Sequence, residues 1–145
     1  MKKSLTTAAL FLSLLGAPAR AAAPMPDPYQ LSLMIYGALT ALDQANTTGN
    51  YTVLRGLAAP AFQSLNTPEA LAAAFSKYRR AHVSLAPVVL FQPTLTDEAS
   101  IGADGLLHLK GYFATRPLRI GFELAFQDVN GTWRLMTLSV KPSEA

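Results

Sequence analysis

Proton transfer in an apolar cavity needs a carboxylate base and an acid donor such as tyrosine converging on one substrate. Tyr36 supplies a phenol that can point inward from a helix. The carboxylates are poorly placed to join it. Asp43 falls near the end of that helix, Asp97 and Glu98 share a turn-like run, and Asp104 and Asp128 flank turns. Glu123 alone lies mid-strand. Alternation puts it on the face opposite Phe122 and Leu124, where an ion pair with Lys110, Arg119 or Arg134 is its plainer use. The histidines are His82 and His108, and cysteine is absent. His108 alternates with Leu107 and Leu109 as an outward strand residue, and His82 suits the C-terminal end of a helix. Neither stands in a cluster with metal-ligand spacing. A nucleophile elbow and a glycine-rich phosphate loop are also missing. The expectation is therefore no catalytic residue, no metal and no cofactor. An isomerase-like or dehydratase-like enzyme using Tyr36 and an unassigned carboxylate is the competing reading.

Binding chemistry is better represented. Ligand pockets are mostly apolar with a few polar handles. Among the aromatics Tyr29, Tyr36, Tyr78, Tyr112 and Trp133, those expected to line such a pocket are Tyr36, Tyr78 and Trp133, together with Phe122 and Thr137. The same residues serve equally well as core, provided each phenol finds a hydrogen-bond partner.

The chain that must position them has 145 residues, 50% of them hydrophobic and 14% charged. This is one domain, apolar enough to fold without disulfides or a structural metal. Lys2 and Lys3, the apolar run 8–15 and the small-x-small pattern Ala19-Arg20-Ala21 form a bacterial signal peptide over 1–21, cut after Ala21. The expected destination is the periplasm or the medium. Residues 22–26 read as a flexible spacer and 27–142 as the domain. No later run approaches the length needed for membrane insertion. The formal net charge is +3. It vanishes once Lys2, Lys3 and Arg20 leave, and Lys77, Arg79 and Arg80 make a solvated helix end, so no nucleic acid is expected as partner. Three Asn-x-Thr acceptor patterns, at Asn46, Asn50 and Asn130, read as cap and turn chemistry in such a chain.

Three helices come first. Asp27 caps, Pro28 opens and Gln30 completes a capping box, and Leu31, Met34, Ile35, Ala38, Leu39 and Leu42 recur at helical spacing up to Thr48-Gly49. Asn50 caps a short second helix ended by Pro60. Thr67-Pro68-Glu69 starts a third, with Leu71, Ala74, Phe75 and Tyr78 on its apolar stripe. The period then changes to two. Strands are predicted over 83–91, through 99–101, and over 106–113, 119–127 and 132–140, with Asn130-Gly131 as a two-residue hairpin turn. That turn sets Phe126 opposite Leu135, Leu124 opposite Thr137 and Phe122 opposite Ser139. The second face then carries Ala125, Met136, Leu138 and Val140.

This order, with the Tyr36-to-Leu42 stripe, the Asn50-Tyr51-Thr52-Val53-Leu54 helix start and the Gly131-Thr132-Trp133-Arg134-Leu135 strand, resembles the nuclear transport factor two-like superfamily. The resemblance implies an α+β roll, with three N-terminal helices packed on a curved antiparallel sheet. It also implies a pocket between helix and sheet, and a homodimer through the outer sheet face. The function expected is non-enzymatic binding of a small apolar ligand or a protein partner. A structural subunit of an envelope assembly is a further reading.

Overall fold

The structure is a computed structural model that describes residues 22–145; the expected signal peptide lies outside the described residues. The first element, α1 (Pro28–Thr48), starts as its capping box dictates. Asp27 Oδ1 accepts from the Gln30 amide at 2.8 Å and Gln30 Oε1 accepts from the Asp27 amide at 3.0 Å. The helix stops at Gly49, whose φ of 72° no β-carbon opposes. Leu31, Ile35, Leu39 and Leu42 form the buried stripe between these ends.

Where three helices were expected, five are present among the described residues. After α2 (Thr52–Leu57), Pro60 does not merely end a helix. Its fixed φ and missing N–H suit a first helical position, and it opens α3 (Pro60–Leu65). The expected third helix divides at Phe75 into α4 (Pro68–Ala74) and α5 (Ser76–Arg80). His82 then takes φ 51°, and the Val83 amide reaches back to the Tyr78 carbonyl at 3.0 Å.

Residues 83–91 are not a strand. They contain a 3-10 turn, Ala86–Leu90, with Pro87 near its start, where the absent N–H costs nothing. Asp43 Oδ1 accepts the Leu85 amide at 2.7 Å and Ser84 Oγ accepts the Ala86 amide at 3.2 Å, satisfying donors that a ladder would have used.

All five strands form one antiparallel sheet. The short β1 (Thr94–Leu95) and β2 (Ser100–Ile101) both lie along one edge of β3 (Leu106–Phe113), followed by β4 (Leu118–Val129) and β5 (Thr132–Glu144). β1 can approach β3 because position 111 is glycine: a β-carbon there would sit 2.1 Å from the Thr94 carbonyl oxygen. The β4–β5 turn is as expected, with Val129 opposite Thr132 and positive φ at Asn130 (56°) and Gly131 (82°).

The register beyond that turn differs from the expectation. Phe126 does face Leu135, but a bulge between Ala125 and Phe126 shifts the pairing, so Leu124 faces Leu138 and Phe122 faces Val140. One extra residue sends every later side chain of β5 to the opposite face. Val140 therefore joins the core, and Leu138 packs against it partly buried, as does Met136 at the bulge. The face on which a homodimer was expected instead carries the rows His108–Ala125–Thr137 and Lys110–Glu123–Ser139. The domain is thus α+β, with the α1 stripe packed against Leu107, Leu109, Phe113, Ile120, Phe122 and Leu124.

Candidate functional site

Around Tyr36 the space between α1 and the sheet is filled, and farther along the helix a small apolar pocket of about 160 Å³ remains between Met34, Ala38, Leu54, Phe126 and Leu135. Tyr36, Phe113 and Phe122 form a chain of tilted rings with centroids 5.5 and 5.6 Å apart, and Leu39, Leu107 and Phe113 are wholly shielded from solvent. The Tyr36 hydroxyl donates to the Phe91 carbonyl at 2.5 Å. Its phenol ties α1 to the segment before β1, and Phe122 is plain core.

The other expected pocket residues lie elsewhere. The Tyr78 hydroxyl donates to the Val140 carbonyl at 2.8 Å, closing part of the β5 edge. Trp133 Nε1 donates to the Pro24 carbonyl at 3.2 Å. Thr137 is on the outer sheet face, in a trough with His108, Lys110, Glu123 and Ser139 over an Ala125 floor, and Asp97 and Glu98 line its rim as well. The five residues do not converge.

At the C-terminal end of α1 a groove of about 490 Å³ opens, lined by residues that include Asn46, Thr48, Tyr78, Arg79 and His82, and several of its polar groups bond within the chain. Tyr51 is 1% exposed; its hydroxyl donates to Asn46 Oδ1 at 2.5 Å and accepts from Arg79 Nη1 at 2.7 Å. Arg79 also donates to the Ala72 carbonyl at 2.8 Å and stands over the Tyr51 ring. Arg79 is therefore not part of a solvated helix end. Asp43 is committed to Leu85.

The N-terminal half of α1 borders an open groove of about 540 Å³. Its apolar lining includes Leu31 and Ile35 from α1, Pro93 and Leu95 before and within β1, Ala99, and Met25 with Pro26 from the segment preceding the helix. Ser32, Thr96, Asp97 and Glu98 supply the polar lip, and no lysine or arginine lines it. The lip hydroxyls are occupied: Ser32 Oγ donates to the Pro28 carbonyl at 3.0 Å and Thr96 Oγ1 to that of Lys110 at 3.4 Å. The polar function left to a ligand is the carboxylates. Asp97 forms a loose ion pair with Lys110 Nζ at 3.9 Å, and Glu98 has no ion pair with any described residue. The lip can accept hydrogen bonds and attract a cation; it offers little to an anion.

The groove exists because the edge strand is interrupted. Thr96 still bonds to Lys110 of β3, and residues 97–99 then leave the edge to form an arch between β1 and β2. Sequence reasoning treated Asp97 and Glu98 as turn residues. The available cue was a pair of carboxylates following Pro93 and Leu95, a polar end on an apolar segment.

The outer trough has its own electrostatics. Glu123 is held below the ordinary carboxylate range, first by its hydrogen bond from Lys141 at 2.8 Å and also by the charge of Lys110 at 3.6 Å. Asp104 is lowered chiefly by the Leu106 amide, with a smaller share from His108 Nε2 at 2.9 Å. Among the described residues no group of three or more His, Asp or Glu is placed to hold a metal ion, and no helix is long and apolar enough to cross a membrane. No family model, no curated protein and no solved structure matches the chain.

Proposed function

We propose that this is an exported, non-enzymatic binding domain, built as an α+β roll, that takes a small amphipathic ligand in the groove beside the N-terminal half of α1. The observation that carries the reading is a groove of about 540 Å³ with an apolar bed and a lip that carries two carboxylates, Glu98 without an ion pair to any described residue and Asp97 in a loose one with Lys110 at 3.9 Å. That volume lies within the roughly 300–1,000 Å³ common for ligand sites. Leu31, Ile35, Leu95 and Ala99 would take the apolar body, and the carboxylates would take a positively charged or donor-rich head. The binding reading gains further from Tyr36, whose hydroxyl donates to the Phe91 carbonyl, and from Asp43, one of whose oxygens accepts the Leu85 amide.

Native mass spectrometry of the protein purified from the periplasm tests the proposal. The expected result is a chain beginning at Ala22 that retains a cationic or amine-bearing small molecule, lost when Leu95 is replaced by arginine. A chain with residues 1–21 still attached would overturn export. A ligand that survives Leu95→Arg would overturn the groove.

A further inference from the structure

The segment read as a loose spacer is held in place. Ala23 is 6% exposed, and its amide donates to Asp128 Oδ2 at 3.0 Å, 105 residues away in the chain. The other carboxylate oxygen, Oδ1, accepts the Gly131 amide at 2.7 Å and so fixes the β4–β5 hairpin turn. The Trp133 indole holds the Pro24 carbonyl, and Pro26 is buried. Asp128 and Trp133 stand opposite each other across that hairpin. Together they form a seat for a short stretch of chain.

We propose that this seat receives the processed amino terminus, and that the ammonium released at Ala22 completes it by pairing with Asp128. The proposal rests on cleavage after Ala21. In that hydrolysis the water oxygen goes to the Ala21 carbonyl carbon, and the Ala22 nitrogen leaves as an amine that takes up a proton. The Ala22 nitrogen precedes the Ala23 amide by one residue, and consecutive α-carbons are about 3.8 Å apart. A free amino terminus there puts a positive charge beside a carboxylate that already accepts two backbone hydrogen bonds. An uncleaved chain has a neutral amide at the same point. Because Met25 and Pro26 follow directly and wall the groove, maturation would set one side of the ligand site.

Hydrogen exchange at the Ala23 amide reads the seat. Three full-length precursors are exported and compared after processing: wild type, Asp128→Asn, and a chain with Gly-Ser inserted between Ala21 and Ala22, which displaces the ammonium by two residues. Protection at Ala23 should fall roughly two- to fivefold in both altered chains, the range of an exposed charge pair. Trp133→Phe should loosen the Pro24–Met25 stretch without moving the hairpin amides. Equal protection in wild type and the insertion would overturn the role of the ammonium. Equal protection in wild type and Asp128→Asn would overturn the role of the carboxylate charge. Intact mass reports the cleavage point separately: a start other than Ala22 overturns the premise, and the Asp128→Asn comparison still reads the seat itself.

Discussion

Grooves of about 490 and 540 Å³ border the two ends of α1, and the polar groups beside them are committed differently. At the C-terminal end, Asn46, Tyr51 and Arg79 close a hydrogen-bonded chain, and Asp43 holds Leu85. At the N-terminal end, Asp97 and Glu98 face outward over an apolar bed. A buried polar group left without a partner costs about 1–3 kcal/mol. The closed end therefore resists change, whereas the open end can change its polar groups with little effect on folding. Residues at one end should report on stability and at the other on binding.

Truncation at the closed end gives the largest effect. Tyr51→Ala removes a fully buried ring together with the acceptor for Arg79. It should destabilise the fold by about 3–5 kcal/mol in urea titrations, within the range for large-to-small core substitutions. A loss below 1 kcal/mol would mean that the chain of polar groups is not holding this end.

Gly111→Ala tests how the open end is framed. A β-carbon there overlaps the Thr94 carbonyl, so β1 must shift, and overpacking of this kind costs about 1–3 kcal/mol. Exchange protection should fall first at the Thr96 amide, which donates to the Lys110 carbonyl at 2.9 Å. The Arg55 amide, which closes the start of α2 on the Tyr51 carbonyl, should keep its protection.

Neutralising the lip separates the two ends cleanly. Asp97→Asn with Glu98→Gln should leave urea stability within about 0.5 kcal/mol, as for exposed positions generally. The same pair should weaken binding of a cationic amphiphile.

The smallest effect lies on the outer sheet face. Glu123 should titrate below 4.5 by carboxyl NMR, and Lys141→Met should raise its midpoint. Because the folded-state value is depressed, its contribution to stability is present above the unfolded value and fades as pH falls through the folded one.

Much of this was legible in the chain. The capping box of α1, its stripe, the Asn130-Gly131 turn and the three long strands follow from local chemistry that tertiary contacts did not overturn. The alternation of Ile120, Phe122, Leu124 and Phe126 correctly marked the covered face of β4. The bulge at Ala125 and Phe126 was not legible. Leu135 and Thr137 alternate regularly, and nothing local distinguishes a continuous register from one displaced by a residue. That displacement misplaced Leu138 and Val140, and with them the apolar outer face. Residues 83–91 were misread because Val83, Leu85, Val88 and Leu90 carry strand-forming side chains. The donors that settle the matter, Leu85 and Ala86, are satisfied by Asp43 and Ser84, one of them distant in sequence. The groove was missed because it is formed by the arch between two very short strands, and such an arch has no period.

The most direct measurement follows amide chemical shifts of the mature protein during titration with dodecyltrimethylammonium and, separately, dodecyl sulfate, both kept below micelle formation. The account predicts saturable shifts at Leu31, Ile35, Leu95 and Ala99 with the cation. Weaker effects should appear with the anion, and the difference should shrink in Asp97→Asn/Glu98→Gln. Equal response to both amphiphiles, or shifts concentrated on the outer sheet around Lys110 and Thr137, would contradict it.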